Sequence, residues 1–430
     1  KMKYCILLSL LALGLAEKAR FDGVQLWEVA VNGVQDAHFL MGLHEKGLIA
    51  DIEGALKRSG MVSILVNPKL TRFMGTQLLK KGMAYSVKVE NFQDLIDEEA
   101  ERLAARATKV GGMAYDPEDF NTYEDNYNHM NDYISLCAGK GLVCEVENAG
   151  NSFEGRPINI YKVSTGGNKP IIWIDSTIHA REWLATTTTV RIFDYVIEQY
   201  GSNQEVDDIL RDYEFWFLPI GNPDGYIWSW ISYRMWRKNR REFGSCIGVD
   251  LNRNFDFRHC QQGASTNPCS DTYCGPSGGS EPETQAYQNA ISSVASRMTT
   301  LITLHSYGNM WMHPWGNTVN FSPFNPCERA DDHDDMFAAA QAAADAIFQV
   351  SGTRWDYGTS CEVIYATTGA TDDWAKGAQN VKYSYNPELR GGNFIVPPSQ
   401  ITPSFREVWA ATIAQVREIE RIEGGIYPLM

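Results

Sequence analysis

The segment Ile178-His179-Ala180-Arg181-Glu182-Trp183 sets an imidazole, a guanidinium and a carboxylate where an apolar run, KPIIWIDST, gives way to a helical pattern. His179 and Glu182 stand three apart, a spacing that in a helical turn puts both on one face. Two ligands do not make a catalytic metal site, because zinc in enzymes usually takes about three protein ligands and leaves a further position for solvent. The third candidate is His305, which closes the apolar run TTLITLHS and would emerge at the same sheet edge. The plainer alternative is a loop histidine and a carboxylate capping a helix. His38 and His44 belong to a separate front segment, and His129, His259, His313 and His333 lie among polar or loop residues, outside any comparable cluster.

The elements that must position these groups alternate along the chain. Strand-like runs (INIYKVST, PIIWIDST, YEFWFLPI, TTLITLHS, VKYSYN) interleave with helical ones such as TTTTVRIFDYVIEQYG, SEPETQAYQNAISSVASRM and SFREVWAATIAQVREIERIEGG. Apolar strands between long amphipathic helices predict an α/β domain: a mixed, largely parallel central sheet with helices on both faces. Sites in such sheets gather at the carboxyl ends of strands. Ahead of it, from about Phe21 to Val89, VQLWEVAV and MAYSVKVE alternate as strands and DAHFLMGLHEKG and NPKLTRFMGTQLLKKG read as helices, predicting a small α+β domain. The following NFQDLIDEEAERLAARATK is rich in helix formers, carries pairs such as Glu98 to Arg102, and precedes VGGM. It reads as a helical tether whose Arg106 and Lys109 offer cut points to a trypsin-like protease.

Length and composition are those of ordinary globular protein: 430 residues, 44% hydrophobic and 21% charged. A formal charge of −15 excludes a general nucleic-acid binder, which needs clustered Lys and Arg for phosphates. The opening KMKYCILLSLLALGLAEKAR has a basic lead, an apolar run too short to span a bilayer and small residues near a cleavage point, so residues 1–16 read as a secretory signal. No later stretch is long and apolar enough for a membrane span. Of nine cysteines, Cys5 falls in the signal and eight remain, an even number that suits disulfides in an oxidising compartment. Spacing hints at Cys137 with Cys144, Cys246 with Cys269, Cys260 with Cys274 and Cys327 with Cys361, without fixing the connectivity. Asn320-Phe321-Ser322 has the glycosylation pattern, but Pro323 follows it and an unmodified loop is expected.

HAREW, NPDGY, RMWRKNR, DLNRNFD, LHSYG, VIYATTGATDDW and YSYNPELR stand in the order and approximate spacing of the zinc metallocarboxypeptidases of the pancreatic A/B type, which the chain resembles over essentially its whole length, pro-domain included. Taken alone, Arg237 reads as part of a solvated basic loop, Asn252 and Arg253 as turn residues, Glu388 as an exposed strand-end carboxylate and Tyr365 as a core aromatic. The resemblance implies more. It assigns one zinc ion to His179, Glu182 and His305, the general base and acid to Glu388, and stabilisation of the oxyanion to Arg237. It places the clamp for a substrate's terminal carboxylate on Asn252, Arg253 and Tyr365, and neighbouring subsites on Arg181, Ser306, Tyr307 and Phe394. The region after Glu388 is about two residues shorter than in the family, which bears on Phe394.

The resemblance also implies a domain order: signal 1–16, activation pro-domain with its connecting segment 17–109, and catalytic domain 110–430. The expected protein is a secreted, monomeric digestive zymogen. Its expected partners are peptides with a free C-terminal carboxylate, an activating trypsin-like protease and protein carboxypeptidase inhibitors, with neither nucleic acid nor membrane. The specificity pocket floor falls on Asp372, and a buried carboxylate there favours Lys or Arg side chains. Gly316 instead matches A-type pockets for aromatic and aliphatic ends, Ser360 fits neither pattern, and Gly369-Ala370 replaces the usual glycine pair. Two other readings are a non-catalytic peptide-binding relative and an amino-acid deacylase. Retention of Glu388, Arg237 and all three ligands speaks against the first, and the pro-domain with its full clamp against the second.

Overall fold

The computed structural model describes residues 18–49, 51–53, 60–109, 114–322 and 325–428. The signal segment with Cys5, the VGGM stretch and Pro323 lie outside the described residues.

The front unit is a four-stranded sheet of β1 (Gln25–Val31), β2 (Asp51–Glu53), β3 (Gly60–Val66) and β4 (Tyr85–Val89), in the order β2-β3-β1-β4. Strand alternation divides the side chains of β1 and β3 between two faces. Trp27, Val29 and Val31 of β1 and Val62, Ile64 and Val66 of β3 bury against Ala37, Leu40 and Leu43 from the helix Val34–Glu45 and Met74 and Leu78 from Thr71–Lys80. Leu26 and Leu65 point the other way and pack on Met235, Tyr307, Phe394 and Ile395 of the larger unit. The strands β2 and β3 have no counterpart among the runs expected from sequence, although β3 lies centrally and pairs with β1 from Gln25↔Val66 to Val31↔Gly60.

The tether is the helix Phe92–Lys109. Arg102 turns to Asp119 of the large unit, an ion pair across the junction. Arg106 is engaged in the junction: its side chain is 12% exposed, and it donates to the carbonyl of Phe120 at 2.9 Å and to Asn121 Oδ1 at 3.3 Å.

The large unit is built on eight strands: β5 (Val143–Asn151), β6 (Pro157–Ser164), β7 (Ile171–Ser176), β8 (Glu214–Leu218), β11 (Met298–Ser306), β12 (Met310–His313), β13 (Asp356–Thr359) and β14 (Ser384–Leu389). A two-stranded hairpin, β9 (Glu242–Phe243) and β10 (Cys246–Ile247), stands apart. The sheet order is β13-β12-β14-β11-β7-β8-β6-β5. Its centre is parallel (β14, β11, β7, β8), and β12 with β14, β6 with β8 and β5 with β6 are antiparallel. β7, β8 and β11 are buried along their whole length, as expected of strands covered on both faces. One cover includes the helices Trp183–Gln199, His333–Ser351 and Ile401–Glu423, and the other Pro282–Val294 with Trp374. All four suggested cysteine pairs are disulfides. Among the described residues, no helix is long and apolar enough to cross a membrane.

Candidate active site

Three neighbouring parallel strands deliver the candidate ligands to one edge. β7 and β11 pair up to Leu304↔Ser176, and β11 and β14 pair at His305↔Glu388 and Ser306↔Leu389. His305 and Glu388 therefore emerge side by side at strand ends, and the chain leaving β7 reaches His179 three residues past Ser176. In that turn Thr177 adopts φ 59°, uncommon for a β-branched residue, and its hydroxyl donates to the carbonyl of Pro219 at 3.0 Å.

His179 and Glu182 do not share a helical turn. They lie in the irregular segment before the helix, which begins at Trp183; Glu182 is the residue at its N-terminal boundary and makes no side-chain cap bond. What brings the pair together is the tight turn closed by Glu182 N to His179 O at 3.3 Å. His179 Nδ1 lies 2.8 Å from Glu182 Oε1, His305 Nδ1 3.1 Å from Glu182 Oε2, and the two Nδ1 atoms 3.1 Å from each other. Donor atoms of all three residues fall within 4.8 Å of one another, and all three side chains are buried. Two imidazole nitrogens and a carboxylate, converging and buried, fit zinc by donor type and number. Burial works against the charge on Glu182, yet the facing histidines hold its carboxyl below the ordinary range.

Asp250, to which the sequence reading gave no role, organises the next layer. Its Oδ1 lies 3.1 Å from His179 Nε2, and its Oδ2 accepts from Arg237 Nη2 at 2.8 Å and Nε at 3.1 Å. Burial opposes ionisation of Asp250, but Arg237 and then His179 overcome it and keep the carboxyl well below its usual range. One carboxylate thus orients both a candidate ligand and a candidate oxyanion donor, as outer partners of metal-bound histidines do. The only signal was an acid two residues before Asn252, itself an unremarkable turn pattern.

Glu388 sits at the end of β14 with Oε2 buried and no hydrogen-bond partner. Burial, reinforced by the charge of Glu182, pushes its carboxyl up to about 8. Asn252 Oδ1 accepts from Thr371 N at 3.0 Å, and its Nδ2 faces His305 Nε2 at 3.4 Å. Arg253 donates from Nη2 to the Tyr365 hydroxyl at 3.1 Å and from Nε to Gly263 O at 2.8 Å. Ser306 is buried on β11, its N–H donating to Glu182 Oε2 at 3.2 Å. The Arg181 guanidinium lies 4.3 Å over the Phe394 ring, which meets Tyr307 edge-on at 5.3 Å.

Asp372 is buried in the first turn of the helix Thr371–Gln379, with Oδ2 unpartnered, and burial raises its carboxyl to about 6. Its neighbour Asp373 accepts from Gly316 N at 3.1 Å. A Cβ on residue 316 would stand 2.7 Å from Thr367 Oγ1 and 3.2 Å from Asp373 Oδ2, so packing of this wall requires glycine. Ser360 is buried beside His313. Arg234, another residue without a role from sequence, pairs with Glu99 of the tether at 2.6 Å and donates to the carbonyls of Arg181 and Phe394 at 2.9 Å each, its guanidinium 3.6 Å over Trp183. It stood in a basic run with nothing to distinguish it.

A parallel-centred sheet with two histidines, a glutamate and a second glutamate whose buried Oε2 has no hydrogen-bond partner at its carboxyl edge defines a metal-dependent hydrolase. The family described as "Zinc carboxypeptidase" matches residues 130–411, and that described as "Carboxypeptidase activation peptide" matches residues 29–99. The chain belongs to the zinc carboxypeptidase family and has the composition of a procarboxypeptidase, a metallo-exopeptidase behind an activation peptide. It is 38% identical to carboxypeptidase A2 of Mus musculus over 77% of this chain and 78% of the relative, and 41% identical to carboxypeptidase B of Astacus astacus over 68% and 95%. The crystal structure of a carboxypeptidase A from Helicoverpa armigera matches 93% of this chain and 98% of its own, at a TM-score of 0.81 and 26% identity.

Proposed function

We propose that the chain is a secreted zymogen holding one zinc ion, with signal 1–16, pro-domain and tether 17–109 and catalytic domain 110–430, which after a trypsin-type cut removes basic C-terminal residues from peptides in digestion. The observation that carries the metal chemistry is the convergence of His179, Glu182 and His305 beside Glu388, whose Oε2 has no hydrogen-bond partner. Zinc held by the three would lower the pKa of water and polarise the scissile carbonyl. Glu388 takes a proton from the attacking water and passes it to the leaving amine; its free Oε2 and its position beside His305 suit both transfers. Arg237, aimed by Asp250, meets the negative charge that develops on the carbonyl oxygen. Arg253, with Asn252 and Tyr365, grips the terminal carboxylate, which restricts cleavage to chain ends. Arg181, Ser306, Tyr307 and Phe394 line the adjoining subsites.

Basic specificity rests on Asp372, whose unpartnered buried oxygen is costly alone and is satisfied by a Lys or Arg side chain. Gly316, which matches the small residue of A-type pockets, favours a second reading, in which aromatic or aliphatic ends are accepted.

Inhibition before cleavage is supported by the pro-domain's second sheet face, where Leu26 and Leu65 cover Tyr307 and Phe394, and by Tyr365, which packs against the pro-domain core. With Arg106 engaged in the junction, Lys109 at the end of the tether helix is the favoured cut point. A monomeric state, and protein carboxypeptidase inhibitors as further partners, complete the proposal. The test is to treat the precursor with trypsin, measure bound zinc, and assay peptides ending in Lys, Arg, Phe, Leu and Glu with and without a chelator. Equal activity before and after the cut would overturn the zymogen reading, and chelator-resistant hydrolysis the metal reading.

A further inference from the structure

Arg237 lies in an irregular stretch between the helix Pro223–Ile231 and β9, so no regular element fixes its place. Its backbone carbonyl accepts from Ala180 N at 3.0 Å, and its guanidinium depends on Asp250, which sits thirteen residues on in a second irregular stretch. Something has to hold these two stretches in step, since a group that stabilises developing charge acts only when preorganised at that spot.

Asn239, two residues past Arg237, makes the cross-link and is wholly buried. Its N–H donates to Val249 O at 3.1 Å and its Oδ1 accepts from Val249 N at 2.8 Å, next to Asp250. Its Nδ2 donates to Glu281 Oε2 at 2.9 Å and Glu283 Oε2 at 3.1 Å, at the start of the helix Pro282–Val294. The amide thus uses its acceptor on one stretch and both donor hydrogens on two buried carboxylates that need them. Glu281 also pairs with Arg241 at 3.1 Å, and Glu283 accepts from Phe153 N at 2.9 Å. The two stretches close on each other at Gly248 (φ 86°), where a Cβ would lie 2.5 Å from Asn239 O. The contact leaves no room for slippage.

We infer that Asn239 is a positioning residue for the hydrolysis: it sets the spacing between Arg237 and Asp250, and through Asp250 between Arg237 and His179. This rests on the proposed role of Arg237. Asn239 reaches the site through two neighbours, Arg237 two residues before it and Asp250 beside Val249, and Arg237 is the one that meets developing charge.

The experiment is a double-mutant cycle on the full precursor, expressed, activated and assayed on a peptide ending in Lys, with N239S, R237A and N239S/R237A. N239S is expected to lower kcat about tenfold, in line with misplacing an oxyanion donor, with KM and zinc content little changed. In the R237A background the same substitution should cost clearly less, because the route through Arg237 is gone and only that from Asp250 to His179 remains. An equal loss in both backgrounds overturns the inference, as does an N239S enzyme with unchanged kcat. If R237A alone leaves kcat intact, the role of Arg237 fails instead, which is a separate result. N239D/E283Q provides a folding-independent check: N239D sets a third carboxylate against Glu281 and Glu283, and E283Q returns an amide to the cluster. Recovery of kcat in the double variant over N239D supports the inference, and no recovery with an unchanged melting temperature overturns it.

Discussion

Replacing Asp372 by Asn keeps the shape of the pocket floor and removes only its charge. An ionised carboxylate and a substrate ammonium about 4 Å apart attract by roughly 4 kcal/mol at an effective dielectric of about 20, from which desolvation of the ammonium subtracts. A net 2–4 kcal/mol corresponds to a loss of roughly 30- to 1000-fold in kcat/KM on peptides ending in Lys or Arg, while peptides ending in Leu should hold or gain. The substitution should also stabilise the empty enzyme near neutral pH. Burial lifts the Asp372 carboxyl from an ordinary 3.8 to about 6 in the fold, so its ionised form disfavours folding. That penalty, on the order of 1–3 kcal/mol, is absent below the unfolded pKa, grows as pH rises, and is complete above about 6. Asp372→Asn should therefore raise the melting temperature at neutral pH and leave it unchanged near pH 4. The Lys-over-Leu preference of the native enzyme should fall as the medium is acidified through about 6. Steady-state kinetics on paired Lys and Leu peptides, with thermal melts at the two pH values, measure all three. An unaltered preference for basic ends in the variant would refute the argument, because it would place the selecting charge elsewhere.

Glu388→Gln should cut kcat by about a hundredfold to ten-thousandfold, as loss of a general base does, while zinc stays bound; near-native turnover would remove Glu388 from the proton path. Dialysis against a chelator should abolish hydrolysis and added zinc restore it, and His305→Ala should lose stoichiometric metal by elemental analysis. Glu99→Ala leaves the buried guanidinium of Arg234 without its carboxylate, a change worth on the order of 3–5 kcal/mol, so the uncut variant should show raised basal activity and faster tryptic activation; unchanged rates would mean that this pair does not hold the pro-domain down.

Much of this architecture was legible beforehand because burial writes itself into local pattern. The runs at 171–177 and 299–306 are apolar enough to be read as strands covered on both faces, and both are. β3 is not legible because GMVSILV follows a stretch with little alternation, and β12 and β13 are not because four-residue strands carry too few positions for a period. His313 reads as one of several histidines among polar or loop residues for the same reason, yet it ends β12, buried against Pro314 O. The site residues were recoverable as types and order, but the helical geometry assigned to His179 and Glu182 was wrong, since spacing alone cannot distinguish a helical turn from the tight turn ahead of one.

By itself the sequence determined which groups exist and in what order strands and helices follow one another, because hydrophobic period and turn chemistry act over a few residues. Only the tertiary structure decided which groups meet. The parallel pairing of β7, β11 and β14 sets residues 179, 305 and 388 at one edge, and Asp250, Asn239 and Arg234 acquire their partners only across contacts between segments distant in the chain. Hydrogen bonds and ion pairs between remote segments depend on angles and on tenths of an ångström, and no local pattern in the chain encodes those.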